Sequence, residues 1–164
     1  MRQLSAHDAG FLLNERPEIP ANTTSAWIYE RPAGRRKTLE FEDLLEYVRR
    51  RVPMVPVLHK RLLEPPGGLS LPWWVDDPHF ELEYHVRHIG LAPPGDWSKF
   101  WLQVSRLHAR TLDRSRPLWE MYLMDGLDSM EGVPKGSFAI VTTSHHAAMD
   151  GVSSLAYMAA MHTP

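Results

Sequence analysis

The chain contains no cysteine, so it can form neither a disulfide bond nor a thiolate metal site. It also lacks any apolar run approaching the ~20 residues that a membrane-spanning helix needs. Its first residues include Asp8 and Glu15, which a secretory signal would not carry. With 18 basic and 20 acidic residues, the net charge of −2 is not that of a nucleic-acid-binding protein. These absences predict a cytoplasmic protein whose contact with a membrane or lipid droplet, if any, is peripheral.

The composition that remains is typical of one globular domain spanning residues 1–164. Hydrophobic residues make up 43% of the chain and charged residues 23%. A domain of this length buries roughly 70% of its unfolded surface, which is enough for a core. Short runs rich in β-branched and aromatic residues alternate with helical patterns, which predicts an α/β fold. The predicted strands are Ser25–Glu30, Ser70–Val75, Phe80–Arg87, Trp119–Met124 and Ser137–Thr143.

Two helices are predicted from apolar residues spaced three and four apart. The first starts near Thr38 or Leu39 and ends at Val52, with Arg49–Arg51 complementing the negative end of its dipole. The second is capped by Asp96 and runs to Leu112. Its inner face is predicted to consist of Phe100, Val104 and Leu107. Residues 1–22 are predicted to be loop-like, because Pro17 and Pro20 break any long helix. Phe11, Leu12 and Leu13 are predicted to pack onto the body. Leu58–Leu63 is predicted to form a short turn.

The most informative stretch is Ser137–His162, which is predicted to form a strand, a polar elbow and a helix that begins near Val152. The elbow contains His145, His146 and Asp150. Adjacent residues on a strand point to opposite sides, so at most one of the two imidazoles would meet a substrate. Imidazole titrates near pH 6.5 and is the usual proton acceptor at physiological pH. Spacing alone leaves open a structural alternative, in which both histidines are polar residues at a strand end and Asp150 caps the helix.

The strand before this one, Trp119–Met124, alternates strictly between two faces. Trp119, Met121 and Leu123 share one face. The two strands are predicted to pair as an antiparallel hairpin across the loop Gly126–Gly136. That pairing would bring Pro117–Trp119 and the two histidines onto neighbouring strands.

Several motifs together resemble one family of acyltransferases. The elbow reads HHxxxDG from His145 to Gly151, the signature of acyltransferases built like chloramphenicol acetyltransferase. Pro117-Leu118-Trp119 forms a PLW motif. The other matching segments are Leu4–Leu12, Trp74–Asp77, Tyr84–His88, Pro93–Gly95 and the residues that flank PLW, Leu112–Glu120. On these residues the chain, from about Leu4 to its end, resembles the N-terminal half of the bacterial wax ester synthase/diacylglycerol acyltransferase family.

The resemblance implies a fold and a reaction. The fold would be a mixed, largely antiparallel sheet flanked by helices, one half of a chloramphenicol-acetyltransferase-like pseudo-dimer whose C-terminal half is absent from this chain. The reaction would transfer a fatty acyl group from acyl-CoA to diacylglycerol or a long-chain alcohol. Acyl-CoA is a co-substrate here, and no cofactor or metal is implied. A complementary half or a second chain would complete the site by docking on an apolar face around Leu155, Tyr157 and Met158. The isolated chain is therefore expected to be weakly active or inactive.

The resemblance also implies roles for individual residues. His146 would be the general base, His145 would hold the geometry, and Asp150 would fix local structure through Arg114 or Arg116. Gly151 would allow the tight turn into the helix. Pro117, Leu118 and Trp119 would contribute to substrate binding.

Three alternatives stay open. The chain could be a non-catalytic binding or assembly module that pairs with another chain. It could be a metal-dependent hydrolase using His145, His146 and Asp150, although adjacent strand residues make poor joint ligands. A peptide-synthetase condensation domain would share HHxxxDG but lack the Arg116–Glu120 and Tyr84–His88 contexts. His85 and His88 fall on opposite faces of a predicted strand, and they are expected to be surface or interface residues rather than a metal pair.

Overall fold

A computed structural model describes residues 1–30, 39–149, 157 and 159–161. It shows an α/β fold, as the sequence predicted, and the strands form two sheets. The strands are β1 (Arg2–Gln3), β2 (Asn22–Tyr29), β3 (Lys60–Leu63), β4 (Trp73–Asp76), β5 (Val86–Gly90), β6 (Trp119–Asp125) and β7 (Phe138–His145). The helices are α1 (Ala6–Asn14), α2 (Phe41–Arg51), α3 (Leu82–His85) and α4 (Trp97–His108), and residues 157 and 159–161 are also helical.

The larger sheet has the strand order β2-β7-β6-β5. The pairs β2–β7 and β6–β7 are antiparallel, whereas β5–β6 is parallel, so the sheet is mixed and largely antiparallel. The predicted hairpin is confirmed, and Trp119 pairs with Ser144 at the end remote from the connecting loop. The histidine elbow therefore follows β7 at the edge of the sheet where β6 begins.

Strands β6 and β7 are buried on both faces of the sheet. The alternation predicted for β6 decides which of its residues faces which layer. Trp119, Met121 and Leu123 pack in a cluster with α2 and with the helical residues Tyr157 and Met161. Tyr122 and Met124 pack on the other face in a cluster with α4. Burial on both faces explains why β6 and β7 consist almost entirely of buried residues.

The two helices predicted from periodicity are confirmed, with shifted ends. Helix α2 begins at Phe41 after a reciprocal capping box between Glu40 and Asp43, and Pro53 belongs to the 3-10 turn that follows it. Helix α4 is capped by the Asp96 side chain, which accepts a hydrogen bond from the Lys99 backbone N–H at 2.8 Å. Phe100, Val104 and Leu107 form its buried face, as predicted. It ends at His108, four residues before the predicted end.

The prediction of a loop over residues 1–22 is wrong, because residues 6–14 form α1. Ser5 caps this helix by accepting a hydrogen bond from the Asp8 backbone N–H at 3.1 Å. Pro17 and Pro20 follow its C-terminus and do not interrupt it. Leu12 is buried, but Leu13 is 81% exposed, so the expectation that Leu13 packs onto the body is also wrong.

Two further local predictions are wrong. Within the segment predicted as a turn, Lys60–Leu63 is strand β3, which pairs with β4 in a small sheet of order β1-β4-β3. The segment predicted as one strand, Phe80–Arg87, contains the single-turn helix α3 before β5 begins. That helical turn places His85 in the core at 0% exposure, so the prediction of a surface or interface position is wrong for this residue. Across the described part of the chain, no helix has the length and apolar character required to cross a bilayer.

Candidate functional site

The His146 side chain is exposed at the first position after β7. Its backbone N–H donates to the Ala21 carbonyl at 2.8 Å, which fixes the elbow to the start of β2. Its ring stacks on Phe11 of α1, with centroids 4.8 Å apart and planes 15° apart. Its Nε2 shares a hydrogen bond of 3.0 Å with the Thr23 hydroxyl. Two segments far away in the sequence therefore orient the imidazole that was predicted to be the base.

His146 lines a cavity of about 610 Å³, a volume in the range of small-molecule sites. The other walls come from α1 and from the segment that leads into β2, and they include His7, Phe11 and Asn14. His7 meets Phe11 edge-on at 5.4 Å, so two imidazoles contact one aromatic ring. The cavity thus combines apolar and polar walls beside a histidine that solvent can reach.

His145 has the opposite environment, because it is 1% exposed. Its Nδ1 accepts a hydrogen bond from the Ala147 backbone N–H at 3.0 Å. That contact leaves the ring proton of the neutral form on Nε2, which lies 3.4 Å from an oxygen of Glu15. This separation is longer than a standard hydrogen bond. Burial lowers the pKa of His145, and the nearby Glu15 carboxylate only partly offsets the effect. The two adjacent histidines thus point to different sides, as predicted.

Glu15 is a component of the site that the sequence analysis did not identify. Its side chain is 5% exposed. One carboxylate oxygen accepts from Arg114 at 3.0 Å, and the other accepts from the Ala21 backbone N–H at 3.2 Å and faces His145. A single carboxylate therefore connects α1, the start of β2, the segment before PLW and the elbow. No local pattern indicates this role, because a Glu after an apolar run is usually a surface residue.

The arginine predicted to pair with Asp150 remains unassigned, because Asp150 and Gly151 lie outside the described residues. Both candidate arginines do have partners. Arg114 binds Glu15 and also donates to the Leu12 carbonyl at 2.6 Å. The Arg116 guanidinium lies 4.4 Å above the centre of the Tyr84 ring.

The PLW residues are buried, and their strand contacts the start of the elbow. The Leu118 carbonyl accepts the backbone N–H of His145 at 3.0 Å, so this motif holds the strand end that carries both histidines. The Trp119 indole N–H donates to the Leu58 carbonyl at 2.8 Å. Its ring stacks on His85, with centroids 4.7 Å apart. These contacts are structural, and the substrate-binding role predicted for Pro117, Leu118 and Trp119 stays a prediction.

His85 completes this buried layer. Its Nδ1–H donates to the Trp119 carbonyl at 2.8 Å, and it stacks on Phe80 at 5.2 Å. Burial lowers the pKa of His85, which favours the neutral form of the ring. The described residues contain no group of three side chains able to hold a metal ion.

Comparisons with known proteins show which family and which relatives this chain is similar to. The family model described as wax ester synthase/diacylglycerol acyltransferase catalytic domain matches residues 4–164. The chain is 41% identical over 154 residues to the "Probable diacyglycerol O-acyltransferase tgs3" of Mycobacterium tuberculosis (strain H37Rv), covering 94% of this chain and 54% of that protein. It is 33% identical over 158 residues to the "Probable diacyglycerol O-acyltransferase tgs2" of M. tuberculosis (strain CDC 1551), covering 94% of this chain and 33% of the relative. The chain thus spans about half of the first relative and a third of the second.

Solved structures show the same fold. The wax ester synthase/diacylglycerol acyltransferase from Marinobacter aquaeolei VT8 superposes with a TM-score of 0.76 at 29% identity, over 93% of this chain and 36% of that one. The first condensation domain of the calcium-dependent antibiotic synthetase gives a TM-score of 0.69 at 19% identity, over 97% and 36% of the two chains. The second likeness concerns the fold alone.

Proposed function

This chain belongs to the wax ester synthase/diacylglycerol acyltransferase family, and from that membership we propose that His146 is the general base of an acyl-CoA-dependent O-acyltransferase. The acyl acceptor is diacylglycerol or a long-chain alcohol, and the product is triacylglycerol or a wax ester. The observation that carries the proposal is the difference between the two adjacent histidines: only His146 is exposed to a cavity, whereas His145 is buried against Glu15.

The proposed step needs no covalent intermediate, because a thioester is already activated. His146 takes the proton from the acceptor hydroxyl as its oxygen attacks the thioester carbonyl carbon. The carbon–oxygen bond forms, the carbon–sulfur bond breaks, and the imidazolium returns its proton to the departing CoA thiolate. The Thr23 hydroxyl shares a 3.0 Å hydrogen bond with Nε2 and helps to orient the ring.

We give His145 a positioning role in the reaction and not a catalytic one. Its Nδ1 is occupied by the Ala147 N–H, and its Nε2 faces the Glu15 carboxylate, so neither nitrogen is free to act on a substrate. Glu15 then ties His145 to Arg114 and to the start of β2. We assign to Glu15 and His145 the role of fixing the elbow that contains His146.

The magnitudes indicate why the proposal includes a complementary C-terminal half or second chain. General base catalysis contributes typically ~10²–10⁴-fold. Positioning two reactants can contribute about 7–11 kcal/mol. The described residues supply the base, and the chain covers only 33–54% of the relatives named above. We assign the walls that align acyl-CoA with its acceptor to the complementary part.

The experiment compares ester formation from palmitoyl-CoA with hexadecanol or dioleoylglycerol, with and without the C-terminal half of a family member. We expect activity to appear or to increase strongly with that half, and His146→Ala to lower it at least a hundredfold. His88→Ala is the matched control, because His88 is exposed and pairs with Asp125 at 2.8 Å, away from the elbow.

Two results would contradict the proposal. Activity that persists in His146→Ala would show that His146 is not the general base. Stable association with the complementary half without any ester formation would instead favour the non-catalytic assembly module.

A further inference from the structure

Helix α1 forms one wall of the cavity beside His146, and a glycine lies in the middle of that wall. The helical wall residues are His7, Gly10, Phe11 and Asn14. Residues three and four apart lie on one face of a helix, so these four share the face toward the cavity. A methyl group built on Gly10 would have no atom of the described residues within 4 Å, apart from its chain neighbours and the backbone of α1. The space that a side chain would fill here therefore belongs to the cavity.

The backbone of α1 does not require a glycine at this position. Glycine is usually needed where φ is positive or where another segment approaches closely. Gly10 has a helical backbone, and no neighbouring segment lies against it in the described part of the chain. Glycine in a helix interior is also less stable than alanine. The effect of this glycine that the structure does show is a wider cavity beside His146.

The walls of the cavity combine apolar and polar groups. Phe11 and Ile19 supply apolar surface, whereas His7 and Asn14 supply polar side chains. Ile19 is 66% exposed, although two backbone hydrogen bonds with Arg16, at 2.9 and 3.3 Å, fix its position. An apolar side chain held in an exposed position beside polar groups suits a ligand that has both an apolar chain and polar groups.

The charge of the walls disfavours the CoA part of the other substrate. None of the described wall residues is lysine or arginine, and the one carboxylate among them, Glu15, is already paired with Arg114. Proteins bind phosphate groups mainly through arginine, lysine or helix N-termini. At the N-terminus of α1, the Ser5 side chain already accepts the Asp8 backbone N–H, and the Asp8 carboxylate adds negative charge. An uncharged ligand therefore fits this cavity better than the phosphate-bearing part of acyl-CoA.

We propose that this cavity takes the hydroxyl-bearing end of the acyl acceptor, and that the missing side chain at Gly10 makes it wide enough for a diacylglycerol. This inference rests on the proposed function, in which His146 takes the proton of the acceptor hydroxyl. A diacylglycerol carries that hydroxyl on a glycerol unit with two ester groups, whereas a long-chain alcohol carries it on a single unbranched chain. The wider acceptor needs the space at Gly10 and the narrower one does not. Gly10 is thus a specificity determinant between the two acceptors.

The kinetic test uses the chain complemented with the C-terminal half of a family member. We expect Gly10→Leu to raise the KM for dioleoylglycerol at least about tenfold, because added bulk in a binding pocket has effects of this size. The KM for hexadecanol should change far less, and the KM for palmitoyl-CoA should stay unchanged. Gly10→Ala should lie between wild type and Gly10→Leu. Ala6→Leu is the matched control, because Ala6 is an exposed residue of the same helix outside the cavity wall.

A binding measurement separates this inference from the proposed reaction. The probe is dihexanoylglycerol, a short-chain diacylglycerol, added to the 164-residue chain while NMR follows the ring signals of Phe11 and His146. We expect saturable shifts in the wild-type chain and in Ala6→Leu, and binding at least about tenfold weaker in Gly10→Leu. CoA should cause no such shifts. Circular dichroism of each variant establishes that it is folded.

Three outcomes would overturn the inference. They are no shifts with dihexanoylglycerol in the wild-type chain, equal binding by the wild type and Gly10→Leu, and an increase in the KM for palmitoyl-CoA in place of that for dioleoylglycerol. The last result would assign the cavity to the acyl chain. The expected shifts in a chain that forms no ester, even when complemented, would support this acceptor subsite and contradict only the proposed reaction.

Discussion

Thr23 and His146 lie 123 residues apart in the sequence, and their side chains are joined by a 3.0 Å hydrogen bond. The bond connects the exposed edge strand β2 to the imidazole that follows β7. Together with the stacked ring of Phe11, it limits rotation of the His146 side chain. The orientation of the proposed base therefore depends on the N-terminal part of the chain.

Removing this hydroxyl should weaken catalysis without removing the base. We expect Thr23→Val to lower kcat/KM about three- to tenfold, the effect of one net hydrogen bond, and Thr23→Ser to restore it. Steady-state kinetics of the complemented enzyme measure the change. Nitrogen NMR shifts of His146 give an independent readout of its tautomer. Identical kinetics and shifts in all three proteins would show that the contact has no orienting role.

Glu15 should contribute to stability as well as to the site. Glu15→Gln removes a buried charge that Arg114 and His145 both face. We expect it to lower the free energy of unfolding by about 1–3 kcal/mol, less than for a fully buried pair because Arg114 is partly exposed. Urea unfolding measures this change. Glu46→Gln is the control, since Glu46 pairs with Arg49 and Arg50 at the surface, and it should leave the urea midpoint unchanged. Equal effects of the two substitutions would contradict the role given to Glu15.

The two buried histidines should make stability depend on pH. Burial lowers the pKa values of His85 and His145 below the ordinary value of 6.5, so protonation favours the unfolded chain. Their stabilising contribution is fully present above pH 6.5, and it is lost as the pH falls from there toward the folded-state pKa values. We expect the urea midpoint to decrease between pH 7.5 and 5.5.

Substitution of one histidine tests this assignment. His85→Gln should reduce the pH slope in addition to any overall loss of stability, because one of the two groups no longer titrates. His88→Ala, at an exposed histidine, should lower stability little and keep most of the slope. A slope that is insensitive to His85→Gln would assign the pH dependence to other groups.

Substitution of Trp119 distinguishes the structural role of PLW from its predicted substrate-binding role. Trp119→Phe leaves the Leu58 carbonyl without its indole donor in the core. We expect this substitution to lower the free energy of unfolding by about 1–3 kcal/mol, measured by urea unfolding. The KM for acyl-CoA should stay unchanged. An increased KM at unchanged stability would favour direct contact between this motif and the substrate.

Periodic patterns in the sequence predicted the helices and strands that bury a regularly spaced set of apolar residues. Helices α2 and α4 bury the apolar faces that the i, i+3, i+4 spacing indicated, and β6 alternates between two layers as predicted. The observed helix ends differ from the predicted ones, because caps and 3-10 turns determine where a helix begins and ends. The prediction of one strand over Phe80–Arg87 is wrong for a different reason. Its apolar residues fit a strand pattern, but packing against Trp119 favours one helical turn that buries His85.

The sequence by itself determined the family, the mixed α/β fold and the position of the histidine pair at the end of a buried strand. These features follow from local spacing and from contiguous motifs. Only the tertiary structure decided which groups hold the two imidazoles: Thr23 and Phe11 on His146, and Glu15 on His145. The physical reason is distance along the chain. Hydrogen bonds and stacking between residues more than a hundred positions apart leave no period in the sequence, and they form only when β2 pairs with β7 and α1 folds over the elbow.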